Sequence, residues 1–245
     1  MRCLVLALGA LLALSGAARA ADPDALWKIV SEKCVPDQRD HGQPAPCAAV
    51  DLDKEYVVLK DRVGDTQYLL MPTAKITGIE DPQVLAPGAG NYFADAWSER
   101  HFTVTAAKRE LPRDDLGLAI NSVYGRTQNQ LHIHIDCIAP AVRNAVAKNI
   151  ASVRDAWAPF PEKLAGHGYR AMRVTGDALA VNPFELLAIG IQPDSMGPET
   201  LVVVGVTLPG GAPGFVLLED RADPAAGDRG SGEELQDHSC ALAKE

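Results

Sequence analysis

The segment Gln130-Leu131-His132-Ile133-His134-Ile135-Asp136 decides the interpretation of this 245-residue sequence. Polar and apolar residues alternate along it, which predicts a β-strand, because successive side chains of a strand point to opposite faces of the sheet. We therefore expect the four polar residues on one face and the three apolar residues on the face that packs on the core. His132 and His134 would then lie side by side, where an imidazole can act near neutral pH as nucleophile, acid, base or metal ligand.

A polar turn precedes the histidine strand. Residues 116–121 (LGLAIN) predict another strand, and residues 122–129 (SVYGRTQN) join the two through a turn centred on Gly125. Such a turn can present backbone and side-chain donors to a phosphate group. Donors and a nucleophilic histidine directed at one place indicate phosphoryl or nucleotidyl transfer.

Other interpretations of the histidines stay open at this point. A metal site would need Asp136, His101 or His238 as a third ligand beside the H-x-H pair. A lone H-x-T-x match at residues 101–104 has no second copy, so it is a weak indication of a phosphoesterase that uses paired copies. Two structural histidines with ordinary hydrogen bonds are the interpretation without chemistry.

Helices and hairpins alternate along the rest of the chain. Apolar spacing and turn residues predict helices over 22–34, 91–110, 140–157, 181–189 and 232–242, and strands over 56–60, 67–71, 116–121, 130–138, 169–174, 201–207 and 215–219. Hairpins with helices between them predict an α+β fold with a largely antiparallel sheet. A helix followed by a hairpin occurs in both halves, so two similar α+β halves are a further expectation.

Residues 1–20 predict an export segment. Arg2 precedes an apolar run, Cys3–Leu14, and Ala18-Arg19-Ala20 fits a cleavage site. An uncleaved membrane anchor is the alternative, and residues 21–245 form the expected domain in both cases. The full sequence has a net charge of −9, and removal of the segment with its two arginines and no acid leaves −11. This charge argues against a protein that binds nucleic acid by counterion release.

The cysteines support export. Four of them follow residue 20, and an even number in an exported chain predicts two disulfides with three alternative pairings. We favour Cys34 with Cys47, which would close a proline-rich loop, and Cys137 with Cys240, which would tie the tail to the centre of the chain.

The turn and the histidine strand together resemble a known signature. Residues 125–135 (GRTQNQLHIHI) are similar to the histidine triad superfamily, in which a glycine turn carrying Gln, Ser or Thr precedes alternating histidines on a strand. The resemblance extends from residue 26 to residue 242 and there points to the CDP-diacylglycerol pyrophosphatase family, an exported bacterial branch of the superfamily. It is carried by the segments LWKIVSEKCVP, PAPCAAVDL, YVVLKDR, QYLLMPT, LAINS, GRTQN, HIHIDCI, FVLLED and LQDHSC.

The resemblance implies a histidine-triad-like fold and hydrolysis of CDP-diacylglycerol to CMP and phosphatidate. His132, at the middle triad position, would attack the phosphorus next to the nucleoside and form a nucleotidyl-histidine. His134 would contact a non-bridging phosphate oxygen. Thr127 matches the hydroxyl position near the leaving group, and Asn121 matches the asparagine at the end of the preceding strand.

Two positions depart from the superfamily pattern. Gln130 replaces the first histidine of the triad and can still exchange hydrogen bonds with a backbone group. Arg126 stands where glutamine is frequent, and its guanidinium suits a substrate with more negative charge. With Gln128, these residues complete the expected phosphate-binding set.

The resemblance also implies the surroundings of the enzyme. It implies no catalytic metal or other cofactor, and a lipid-nucleotide substrate would bring the protein to a membrane surface. The implied location is the bacterial periplasm, either free or anchored to the inner membrane by the N-terminal segment. A hydrolase or transferase acting on a soluble nucleoside diphosphate derivative is one alternative. A periplasmic metal- or nucleotide-binding protein without turnover is the other.

Overall fold

The computed structural model describes residues 22–191 and 196–244, so the export segment expected at residues 1–20 lies outside the described residues. Within them the fold is α+β, as predicted, and is built on one antiparallel sheet. Its nine strands, in chain order, are β1 Ala49–Asp51, β2 Tyr56–Lys60, β3 Tyr68–Pro72, β4 Leu116–Ile120, β5 Ile133–Cys137, β6 Ala158–Pro159, β7 Arg170–Thr175, β8 Glu199–Thr207 and β9 Pro213–Arg221.

The strand order β1-β2-β3-β5-β4-β8-β9-β7-β6 contains the same arrangement twice. In the first half, β3 leads through helices to the β4–β5 pair and lies beside β5. In the second half, β7 leads through a helix to the β8–β9 hairpin and lies beside β9. The two halves meet where β4 pairs with β8. The expectation of two similar halves agrees with this topology.

Helices and short helical turns cover the sheet. The α-helices are α1 Ala25–Ile29, α2 Val35–His41, α3 Tyr92–Ser98, α4 His101–Ala107, α5 Pro140–Asn149 and α6 Pro183–Gly190, with a π-helical turn over Val30–Cys34. On one face of the sheet, Phe93 of α3 and Phe184 of α6 pack together, with ring centroids 5.1 Å apart. On the other face, Val142 and Val146 of α5 pack against β8 and β9. None of the helices in the described ranges combines the length and the apolar character needed to cross a membrane.

Several predicted boundaries are wrong. The first helix continues past Cys34 to His41, because Pro36 lies in the first turn of α2, where its missing N–H costs no hydrogen bond. The helix predicted over 91–110 is two helices, and the one predicted over 140–157 ends at Asn149. The histidine strand begins only at Ile133. Short 3₁₀ turns at Gly232–Leu235 and Ala241–Lys244 replace the terminal helix predicted over 232–242.

Two disulfides hold the chain ends. Cys34 is bonded to Cys47, which joins the N-terminal helices to the loop before β1. Cys137, the last residue of β5, is bonded to Cys240. The backbone N–H of Asp237 also donates to the Cys137 carbonyl. These bonds bring the C-terminal segment back over the end of the histidine strand.

Candidate active site

The histidines lie at the start of β5, which runs between β3 and β4 in the first half of the sheet. His134 is opposite Leu69 of β3 and Ala119 of β4, and His132 directly precedes the strand. Both side chains are buried, and their ring centroids are 5.0 Å apart. The alternation that predicts the strand thus places the two imidazoles next to each other on one face, while Ile133 and Ile135 enter the core on the other face.

His132 has one ring nitrogen tied to the backbone. Its Nδ1 lies 2.6 Å from the carbonyl oxygen of Gln130, which only accepts hydrogen bonds, so Nδ1 carries the proton. Burial, together with the nearby His134, lowers the pKa of His132 to about 4. His132 is therefore neutral at physiological pH. Among the described residues, its Nε2 has no hydrogen-bond partner, which leaves a lone pair for a nucleophilic role.

His134 lies between an amide and a carboxylate. Its Nδ1 is 2.5 Å from Nε2 of Gln67, and its Nε2 is 2.9 Å from Oε2 of Glu233. With the amide donating to Nδ1, the ring proton is on Nε2, which lies beside the carboxylate at ion-pair distance. His134 therefore has a polar neighbour at each ring nitrogen.

Glu233 lies in the 3₁₀ turn Gly232–Leu235. Its hydrogen bond to His134 lowers the pKa of this carboxyl to about 2, against the opposing effect of burial. Asn121 is part of the same contact, because its Nδ2 donates to Glu233 Oε2 at 3.1 Å and its Oδ1 accepts from the Glu233 backbone N–H at 3.3 Å. The site therefore contains a carboxylate that is ionised at neutral pH next to the second histidine.

Asp136 belongs to a separate network. It is fully buried, and its Oδ1 accepts from the Thr66 hydroxyl at 2.6 Å. Its Oδ2 is 2.8 Å from Nδ1 of His238, and this hydrogen bond raises the pKa of His238. Asp136 thus fixes the C-terminal tail and contacts neither His132 nor His134.

The glycine turn is held from outside by the loop that follows β9. The Ser122 backbone N–H donates to the carbonyl of Gly230, and the Ser122 hydroxyl donates to the carbonyl of Arg229. A Cβ atom at Gly125 would lie 2.9 Å from the Gly230 carbonyl oxygen, so this close approach requires glycine. The turn and the C-terminal loop therefore form one unit.

The expected phosphate-binding residues differ in their availability. Arg126 donates two hydrogen bonds to the Glu80 carboxylate, at 2.6 and 2.5 Å. Gln128 accepts from the Leu26 backbone N–H and donates to the Asp22 carbonyl. Both side chains are thus engaged within the protein, whereas Thr127 is exposed on the turn.

Gln130 takes no part in fixing either imidazole through its side chain. Its Nε2 donates to the carbonyl oxygens of Pro72 and Ala74, each at 3.0 Å. The residue in the first triad position therefore ties the start of the histidine strand to the end of β3, while its own carbonyl orients His132.

The ligands considered for a metal site are not assembled around the histidine pair. His101 is exposed on α4, and His238 is paired with Asp136. In residues 22–191 and 196–244, no third histidine, cysteine or carboxylate side chain completes a group around His132 and His134 that is close enough to share an ion.

Sequence reasoning missed two residues that contact His134. Gln67 begins the predicted strand 67–71, and its polar character in an apolar run was the available signal. Glu233 lies nearly 100 residues beyond the histidines, in a segment predicted as an ordinary helix, and no local pattern connects it to them.

Comparison with known proteins agrees with the resemblance. The family model for CDP-diacylglycerol pyrophosphatase matches residues 21–244, a range that includes His132, His134 and Glu233. A CDP-diacylglycerol pyrophosphatase of Yersinia pestis is 45% identical over 225 residues, which cover 91% of this chain and 86% of that relative. The chain therefore belongs to the CDP-diacylglycerol pyrophosphatase family.

Proposed function

We propose that this chain hydrolyses the pyrophosphate bond of CDP-diacylglycerol to CMP and phosphatidate through a nucleotidyl-histidine on His132. Family membership and the name of the Yersinia pestis relative support the substrate. The observation that carries the mechanism is the bond from His132 Nδ1 to the Gln130 carbonyl, which directs the lone pair to Nε2. A neutral, oriented imidazole is the form that attacks phosphorus.

The reaction has two displacements. In the first, His132 Nε2 forms a bond to the phosphorus that carries the cytidine, and the bond from that phosphorus to the bridging oxygen breaks. Phosphatidate leaves with this oxygen, and the positive charge on the modified ring is stabilised at Nδ1–H by the Gln130 carbonyl. In the second displacement, water attacks the same phosphorus, the P–N bond breaks, and CMP leaves with His132 regenerated.

His134 and its partners would position the reacting phosphate. His134 contacts a non-bridging oxygen in this proposal, while Gln67 and Glu233 keep its ring in one orientation. Asn121 in turn holds Glu233.

The glycine turn would contact the phosphatidate part of the substrate, which is the leaving group. In this proposal Thr127, the exposed hydroxyl of the turn, contacts the bridging oxygen. Arg126 and Gln128 act on the substrate indirectly, because their bonds to Glu80 and to the N-terminal segment fix the turn. Fixed donors around a phosphate need little reorganisation during the reaction.

The substrate implies work at a membrane surface. Val123 and Tyr124, at the tip of the same turn, are 40% and 45% exposed, and such side chains are suited to contact the acyl region of a lipid. The two disulfides are typical of exported proteins. We therefore place the protein in the periplasm, at the inner membrane.

The assignment of His132 is tested by CMP release from CDP-diacylglycerol in mixed micelles. We expect His132→Ala to lower kcat by at least about 1,000-fold, as loss of a nucleophile does in other covalent enzymes. His101→Ala, an exposed histidine on α4, is the control and should retain the wild-type rate. Equal rates for His132→Ala and wild type would overturn the nucleophile assignment.

The lipid assignment needs a second comparison. The same assay with CDP-ethanolamine, which lacks acyl chains, should give a much lower kcat/KM than CDP-diacylglycerol. A higher value for CDP-ethanolamine would replace the lipid substrate with a soluble nucleoside diphosphate derivative.

A further inference from the structure

Three potential metal ligands meet in the second half of the sheet, outside the candidate active site. Asp220 is on β9, His167 is in the turn before β7, and Asp228 is in the loop after β9. One ligand atom from each lies within 4.8 Å of the other two. The three residues come from separate parts of the chain, so their approach is a product of the fold.

Asp220 is the unusual member of this group. The residue is only 6% exposed, yet within residues 22–191 and 196–244 its Oδ2 has no hydrogen-bond donor. A buried carboxylate without a donor is costly unless it is protonated or binds a cation.

The surroundings add negative charge to the group. Glu234 Oε1 lies 2.8 Å from His167 Nδ1 and also accepts from the Tyr169 hydroxyl at 2.8 Å. Three carboxylates therefore surround one imidazole. A carboxylate bonded to a ligating histidine is the usual way in which a metal site fixes the orientation of its imidazole.

We propose that His167, Asp220 and Asp228 bind one divalent transition-metal ion of the Zn²⁺ or Mn²⁺ type. An imidazole among carboxylates favours these ions over Ca²⁺ and Mg²⁺, which prefer oxygen ligands alone. Bonds of about 2.0–2.2 Å to Zn²⁺ place ligand atoms about 3.4 Å apart. Because the ligand atoms lie within 4.8 Å of one another, their separations need to shorten by up to about 1.4 Å.

This ion would be structural and would act on the active site at a distance. Asp220 is paired with Thr200 of β8, whose hydroxyl donates to the carbonyl of Ile120 at the end of β4. Three strand spacings separate β9 from β5, which is roughly 14 Å. The ion is therefore too far from His132 to contact the reacting phosphate.

The connection to the active site is the loop that carries Asp228. Asp228 Oδ1 accepts from the Gly230 backbone N–H at 2.8 Å, and the Gly230 carbonyl accepts from the Ser122 N–H at 2.8 Å. The same segment continues to Glu233, which contacts His134. A bound ion would hold Asp228 on β9 and so keep the glycine turn and Glu233 in place. This inference does not rest on the proposed reaction.

Zinc binding to the full mature chain tests the proposal, with isothermal titration and metal analysis after removal of loose ions. We expect one Zn²⁺ per chain in wild type and a higher Tm with Zn²⁺ than after chelation. His167→Gln and Asp220→Asn should each bind Zn²⁺ at least about 10-fold more weakly. The double variant His132→Ala/His134→Ala should still bind one ion, because its changes lie outside the proposed site.

Several different results would overturn the proposed metal site. Wild type without tight Zn²⁺ or Mn²⁺ binding would overturn the proposal. Unchanged binding in His167→Gln would also overturn it, and so would loss of binding in the double variant with retention in His167→Gln. His167 is partly exposed in a turn, so His167→Gln keeps the test valid even if Asp220→Asn fails to fold.

Discussion

At the scale of single residues, neutrality is the property that distinguishes His132. His238 pairs with Asp136, and His167 with Glu234, and these carboxylates raise the pKa of each histidine. His132 instead donates a hydrogen bond to the Gln130 carbonyl and is buried next to the imidazole of His134. Its pKa is lowered to about 4. A nucleophile needs its lone pair free, so the environment of His132 is the one suited to attack.

The activity should therefore persist in mildly acidic solution. We expect kcat/KM for CDP-diacylglycerol to stay nearly constant from pH 8 to pH 5 and to decline with an apparent pKa of about 4, where His132 becomes protonated. An acid limb near 6.5, the ordinary value for histidine, would show that His132 is not held in the neutral form.

The stability of the fold must be measured in the same buffers, because the shifted pKa values of His132 and Glu233 both make the protein less stable in acid. The pKa of His132 is lower in the folded than in the unfolded state, so stability falls as pH drops from about 6.5 towards 4. Glu233, with a folded pKa of about 2 against 4.5 unfolded, contributes stability that is lost below about pH 4.5. Circular dichroism at each pH separates unfolding from protonation of His132.

Glu233 provides a second test at this scale. We expect Glu233→Gln to lower kcat by about 10- to 100-fold, because a hydrogen bond to a charged group contributes about 1.5–3 kcal/mol. Glu185→Gln, an exposed glutamate on α6, is the matched control. Full activity in Glu233→Gln would show that the contact with His134 is dispensable.

Local patterns predict the histidines but not their partners. Alternation over seven residues is enough to place His132 and His134 on one face, because strand geometry is a property of neighbouring residues. Gln67 and Glu233 reach His134 across the sheet and from the C-terminal segment, and such contacts depend on the tertiary fold. For the same reason, the engagement of Arg126 with Glu80 has no signal in the turn sequence.

At the scale of elements, the hairpins were easier to predict than the ends of helices. The glycine-rich turn before residue 213 and the apolar runs on both sides indicate β8 and β9 directly. The predicted terminal helix does not form, because Gln236 and Asp237, in the middle of that range, bond to β4 and β5 instead of continuing a helix. The Asp237 N–H donates to the Cys137 carbonyl, and the Gln236 side chain donates to the carbonyls of Gly117 and His134.

The disulfide at this tail should matter more than the N-terminal one. The Cys137–Cys240 bridge spans 103 residues and Cys34–Cys47 spans 13, so chain entropy predicts stabilisation of about 4.7 and about 3 kcal/mol. We expect Cys137→Ser/Cys240→Ser to lower the urea midpoint more than Cys34→Ser/Cys47→Ser, and to reduce CMP release by loosening the segment that carries Glu233. If Cys137→Ser/Cys240→Ser had the same urea midpoint as Cys34→Ser/Cys47→Ser and kept full activity, this account would be contradicted.

At the scale of the whole molecule, the two halves of the sheet depend on each other. The histidine pair lies in the first half, but the loop and the 3₁₀ turn that hold the glycine turn and His134 follow β9 in the second half. The β4–β8 pairing makes the sheet continuous between them. The second half therefore completes the site of the first, although β9 carries apolar residues, Val216 and Leu218, on the corresponding face.

This dependence predicts cooperative unfolding. Far-UV circular dichroism and tryptophan fluorescence should give coincident urea transitions, since Trp97 packs on β9 across the boundary and Trp157 reports on the second half. Two separate transitions would show that the halves fold independently.

In the proposed reaction, His132 carries the nucleotide during turnover. Wild-type protein mixed with CDP-diacylglycerol and denatured in alkali within one turnover should yield a peptide with CMP attached to His132 by mass spectrometry, and His132→Ala should yield none. A wild-type enzyme that releases CMP while no adduct forms, or that forms it on another residue, would contradict the account.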